Sequence, residues 1–180
     1  MINPKTLSLA LLSLFFLQFV LGQSADDKNN SILKIRKVYQ KINAFNHYKI
    51  VTIDNSEDFL GNATDNGGSL KGYYQDDTLR KIVEWVGLSN RVIENGYYFD
   101  NNKLVFVLTT ESNYHINDTT QSLDYSKLDE TFQGRYYFDN EKLIDAILSD
   151  KGRKKTAEIE AEKLLTSVRD YAKLLKAKRK

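Results

Sequence analysis

The chain of 180 residues contains no cysteine. That excludes disulfides, thiol catalysis and any cysteine-ligated metal. Histidine is nearly as scarce: His47 and His115 stand apart, without motif neighbours. No GxSxG, HExxH, GxGxxG or phosphate-loop pattern occurs. The stretch DFLGNATDNGGS, residues 58–69, carries three glycines but lacks the Lys-Ser/Thr pair of a phosphate loop, so it reads as an ordinary loop. EF-hand spacing is also missing. Asp76, Asp77, Asp100 and Asp139 therefore read as turn residues rather than calcium ligands. No cofactor and no metal is expected.

What is present first is an apolar leader. Lys5 precedes a run from Leu7 to Leu21, and Val20 and Gly22 are small enough for the −3 and −1 sites of a signal peptidase. Residues 1–22 are read as a signal peptide, cleaved before Gln23. The alternative is an uncleaved anchor, since roughly 18–20 apolar residues can cross a bilayer. With no cysteine after the run, a lipoprotein anchor is excluded. Small secreted eukaryotic domains usually carry disulfides. A cysteine-free exported chain therefore points to a periplasmic or secreted bacterial protein, held by packing alone. NNS, NAT and NDT match a glycosylation pattern that Asn-rich loops also produce by chance.

Charge is segregated. Residues 23–150 carry 14 Lys/Arg against 20 Asp/Glu, and residues 151–180 carry 11 against 4. A basic tail follows an acidic body. Either the tail packs near the body and neutralises it, or it offers a surface to a polyanion or an anionic membrane. An acidic body repels phosphates, so nucleic-acid binding is not expected.

The sequence SILKIRKVYQKINAF, residues 31–45, places Ile35, Val38, Ile42 and Phe45 at helical spacing, with Lys34, Lys37 and Lys41 opposite. Asn30 or Ser31 is expected to cap this helix. HYKIVTI, residues 47–53, is β-rich and a candidate first strand. A phrase then occurs three times: GYYQDDTL from Gly72, GYYFDNNKL from Gly96 and GRYYFDNEKL from Gly134. In each, paired tyrosines end one β-prone run, Asp or Asn residues follow, and Leu opens the next run. Each copy reads as a strand, a tight turn and a strand. The first copy is one residue shorter, which predicts a tighter turn. Adjacent tyrosines point to opposite faces, so one ring of each pair is expected in the core and its neighbour on the open face or in a groove. The polar stretch ESNYHINDTTQSLDYSKLDE, residues 111–130, is read as a long exposed loop. A second amphipathic helix closes the chain, with Ala157, Ala161, Leu164, Leu165, Val168, Tyr171, Ala172 and Leu175 as its apolar stripe.

The pair YYFDNNKL and YYFDNEKL resembles secreted, uncharacterised proteins of the Bacteroidetes type that carry YYFDNGKL-like hairpins after a signal peptide and a short helix. More distantly it is similar to MORN-type and antitoxin-associated repeats, in which an aromatic strand, a turn and a Leu recur. The resemblance covers roughly residues 68–148. It implies export and a β-meander, and it supplies no site residues.

The expected fold is α+β: an antiparallel meander of about six strands in residues 23–150, flanked by an N-terminal helix and by a C-terminal helix in 151–180 that packs on the same domain. The expected function is a non-enzymatic binding module of the cell envelope. Its partner would be a protein, peptide or glycan, met by a tyrosine-rich sheet surface of Tyr73, Tyr74, Trp85, Tyr97, Tyr98, Tyr136 and Tyr137. One alternative is a small envelope hydrolase using His115 and nearby carboxylates such as Asp118. Another is a structural or membrane-surface protein attached through its basic C-terminal helix.

Overall fold

A computed structural model describes residues 26–179. The expected signal peptide, with its expected cleavage before Gln23, lies outside the described residues. The chain divides into two compact units at Lys37/Val38. In the first, residues 26–37 are helical, with Ile32 and Ile35 buried. The helix, α1, runs over 26–44 and so crosses that division. It is already helical at Asp26, so Asn30 and Ser31 do not cap it.

The second unit is built on one antiparallel sheet of seven strands in chain order. These are β1 (Lys49–Ile53), β2 (Gly68–Gln75), β3 (Thr78–Gly87), β4 (Arg91–Asp100), β5 (Lys103–Ile116), β6 (Leu123–Asp139) and β7 (Lys142–Leu148). Three hairpins supply six of them. The seventh, β1, is the HYKIVTI segment, which pairs with β2 along Lys49–Ile53. A short helix α2 (Glu57–Leu60) folds the following loop back and buries Phe59. A 3-10 turn η1 (Lys151–Thr156) leads into the long helix α3 (Ala157–Lys178).

The three hairpins share one turn. Both central residues have positive φ in each: Asp76 and Asp77, Asn101 and Asn102, Asn140 and Glu141. This is the two-residue type I′ turn, whose twist matches that of paired strands. Each turn is followed by the same bulge. Arg80, Val105 and Ile144 are the extra residues, because Tyr73, Tyr98 and Tyr137 oppose Lys81, Phe106 and Asp145 while the next residues oppose Leu79, Leu104 and Leu143. The first copy's turn is therefore not tighter. The missing residue lies in the strand: Gly72 occupies the rung of Tyr97 and Tyr136, and the pair Tyr73-Tyr74 corresponds to Tyr98-Phe99 and Tyr137-Phe138.

Register turns this into two ladders. Gly72, Ile82, Tyr97, Val107, Tyr136 and Ala146 run across one face. Tyr73, Lys81, Tyr98, Phe106, Tyr137 and Asp145 run across the other. Helix α3 packs on the first face, burying Ala157, Ala161, Val168, Tyr171 and Leu175 in the main core. The full predicted stripe joins it, since Leu164, Leu165 and Ala172 pack partly buried against the same cluster. Gly72 makes room for this: a Cβ there would lie 3.0 Å from Leu175 Cδ1. On the second face Tyr39 of α1 lies 4.8 Å from the Tyr98 ring and 5.2 Å from the Phe106 ring.

Residues 111–130 are not a loop. Glu111–Ile116 and Leu123–Glu130 extend the β5–β6 ladder as a hairpin with irregular register near its end. Most of the β6 arm is exposed, so both faces take polar residues and the alternation that marks a strand is lost. The two strands turn over Asn117–Ser122, where the Asn117 carbonyl accepts from the Gln121 N–H at 2.8 Å.

Candidate functional site

Strand β3 places Glu84 between Ile82 and Val86 on the α3 face. A carboxylate there costs several kcal/mol of desolvation unless it is hydrogen-bonded. The fold supplies the donors. Asn95 Nδ2 donates at 2.9 Å and the Tyr97 hydroxyl at 2.9 Å, both to Oε2. The Tyr171 hydroxyl of α3 donates to Oε1 at 2.6 Å. Thr109 Oγ1 in turn donates to Asn95 Oδ1 at 2.7 Å, which fixes the amide orientation. Glu84 is 6% exposed, so this knot ties three strands to the helix inside the core. Burial first, and the facing Glu84 second, push the Tyr97 and Tyr171 hydroxyls above the ordinary tyrosine range.

The knot ends at the floor of a cleft of about 500 Å³ between α3 and the sheet. Asn95, Thr109, Glu111, Phe132, Tyr136, Arg153, Glu160, Lys163 and Ser167 contribute to its lining. The Tyr136 hydroxyl donates to Glu160 at 2.5 Å, and Thr156 donates to the other Glu160 oxygen at 3.0 Å. Burial, then the Glu160 bond, push the Tyr136 hydroxyl well up. Arg153 spans both Glu111 oxygens at 2.5 and 3.2 Å and lies 4.1 Å over the Phe132 ring. Its guanidinium is held above its ordinary value by those Glu111 bonds. An ionised carboxyl offers about four acceptor positions. Described residues fill three at Glu84 and two at Glu160. The cleft thus keeps spare acceptor positions on two carboxylates, beside the Lys163 amine and aromatic rings in its wall.

The seven aromatic residues singled out from the sequence do not form one surface. Tyr97 and Tyr136 face α3 and line the cleft. Tyr74 is on the same face, with Arg179 4.7 Å over its ring. Tyr73, Tyr98, Tyr137 and Trp85 lie on the opposite face. There Lys81 Nζ sits 4.6 Å over the Tyr73 ring and 5.8 Å from the Tyr98 ring. Tyr74, Tyr97, Tyr98, Tyr136 and Tyr137 are all at most 5% exposed, while Tyr73 and Trp85 are half-buried. Alternation between faces holds, yet both members of the second and third pairs are buried, because each face is covered.

His115 is elsewhere. It lies on the exposed β5–β6 hairpin, with Nδ1 2.8 Å from Asp129 of the opposite strand. Its carboxylate partner comes from across the ladder, not from Asp118 nearby in sequence. The cleft lining contains no histidine. Among the described residues, no three His, Asp or Glu side chains converge as metal ligands, and no helix is long and apolar enough to cross a membrane.

Sequence reading missed Glu84, Asn95, Thr109, Glu111, Arg153 and Glu160. One signal was present: in KIVEWV, period-two alternation puts Glu84 on the face of Ile82 and Val86, so a charge stood on an apolar face. Comparison with known protein families, curated proteins and solved structures finds no match.

Proposed function

We propose that the protein is an exported, non-enzymatic binding module whose ligand site is the cleft between α3 and the sheet. The observation that carries this reading is Glu84: a carboxylate held in the core by three donors, with acceptor capacity left over at the cleft floor. About 500 Å³ is in the range of small-ligand sites. It suits a sugar ring or a peptide side chain rather than a folded partner. Free acceptors beside the rings of Phe132 and Tyr136 favour a donor-rich ligand, a glycan or a peptide bearing hydroxyls or an amine. His115 as a hydrolytic centre is disfavoured by its absence from this lining. Attachment through α3 is disfavoured by the burial of its apolar stripe.

Titration of the purified protein with chitotetraose, cellotetraose and lysine-containing tripeptides tests the site. Binding by one class should be lost in Glu84→Gln and in Ser167→Leu, the second filling the cleft from α3 beside the Tyr171 hydroxyl that Ser167 bonds. Binding unchanged in both folded variants contradicts the cleft as the site. Export is tested by intact mass: the secreted chain should begin at Gln23, and an intact Met1 in a membrane fraction contradicts cleavage.

A further inference from the structure

We infer that the 3-10 turn η1 is a strap over one end of the cleft, latched by Arg153, and that access to the cleft depends on this latch. The inference concerns entry and holds whichever ligand is bound. None of the six residues of η1 is buried. The turn is tied internally by Asp150 Oδ1, which accepts from the Gly152 N–H at 2.7 Å, and at its end to α3 by the Thr156 hydroxyl that donates to Glu160. Its reach to the middle of the sheet is through Arg153, 42 residues from Glu111 in the chain. Two hydrogen bonds to one carboxylate and a ring underneath give that contact a fixed geometry. The latch residues and Phe132 all line the cleft, so the contact that holds the strap also forms the cleft's wall.

A segment without buried apolar side chains opens at low free-energy cost, while helix and sheet stay folded. The latch is partly exposed, with the Arg153 side chain at 36% and Glu111 at 14%. Salt therefore weakens it more than it weakens a fully buried pair. Opening of the strap is then a local equilibrium that the Arg153 contact biases toward the closed arrangement.

The chain's lack of cysteine provides the test. Thr109 is 9% exposed and stands two residues from Glu111 on β5. A Thr109→Cys variant carries one thiol at the cleft wall, whose reaction rate with a soluble disulfide reagent reads strap opening. Val168→Cys, at a 3% exposed position on the buried face of α3, reads global opening. Adding Arg153→Gln should speed labelling at position 109 by about tenfold, the scale of a lost charge-assisted pair, and leave position 168 unchanged. Raising salt should speed position 109 in the Thr109→Cys chain. Equal rates at 109 with and without Arg153→Gln overturn the latch. A parallel rise at 168 also overturns it, since the loss would then be of the whole fold.

Discussion

Adjacent tyrosines in this chain serve two different cores. Tyr97 donates to Glu84 beneath α3, and Tyr98 packs against Tyr39 of α1. The two rings are 0% and 5% exposed. Replacing either by Ala should therefore cost about 3–5 kcal/mol, the usual loss for a buried aromatic. Urea unfolding of the two variants checks this, and a loss under about 1 kcal/mol in one of them would contradict burial on both faces. The same rings set an alkaline limit. Burial pushes the Tyr98 hydroxyl from 10.0 up to about 12, and Tyr97, Tyr136 and Tyr171 are shifted the same way. Folding thus favours neutral tyrosine. That contribution is complete below pH 10 and is lost as pH rises towards 12 and beyond. Tyrosine absorbance and circular dichroism should show ionisation of these groups coupled to unfolding above pH 10. Normal ionisation near 10 in a still-folded chain would contradict the burial.

At the scale of elements, the repeated phrase is a repeated turn and bulge. Its weakest copy is the third, where Glu141 adopts φ +61. A side chain in the left-handed region costs about 1–2 kcal/mol relative to glycine, partly offset by glycine's greater freedom when unfolded. The Glu141–Arg169 pair is exposed on both sides and contributes little. Glu141→Gly should raise stability by about 0.5–1 kcal/mol, read from the urea midpoint. A fall would show that the ion pair outweighs the turn. The hairpins were legible because Asp-Asp, Asn-Asn and Asn-Glu between β-prone runs carry turn chemistry locally. The turn type was not legible from residue counts, because a glycine replaces a tyrosine in the strand, not in the turn. The distal β5–β6 hairpin was hidden for another reason. Apart from Tyr114, which packs on Tyr125, the hairpin is largely solvated, and residues such as Ser112, Asn113, Asp129 and Glu130 break up the apolar period. The cleft needed tertiary structure, since Glu84, Arg153 and Glu160 come from β3, η1 and α3.

Across the whole second unit, α3 joins body and tail. Arg153 reaches Glu111, Arg169 reaches Glu141, and Arg179 reaches Asp77. The basic tail thus meets acidic residues of the sheet, and the charge segregation of the sequence is partly neutralised within the fold. The Arg169–Glu141 pair, exposed on both sides, stabilises little; the apolar stripe and the Tyr171–Glu84 bond hold the helix. Because α3 closes the core and walls the cleft at once, a ligand there would contact helix and sheet together. A backbone-amide NMR titration with the best-binding glycan or peptide tests this most directly. The account predicts shifts concentrated at Asn95, Thr109, Phe132 and Ser167, with little change at His115 or Trp85. Shifts centred on the β5–β6 hairpin or on the Tyr73 and Trp85 face, with the cleft residues unmoved, would contradict it.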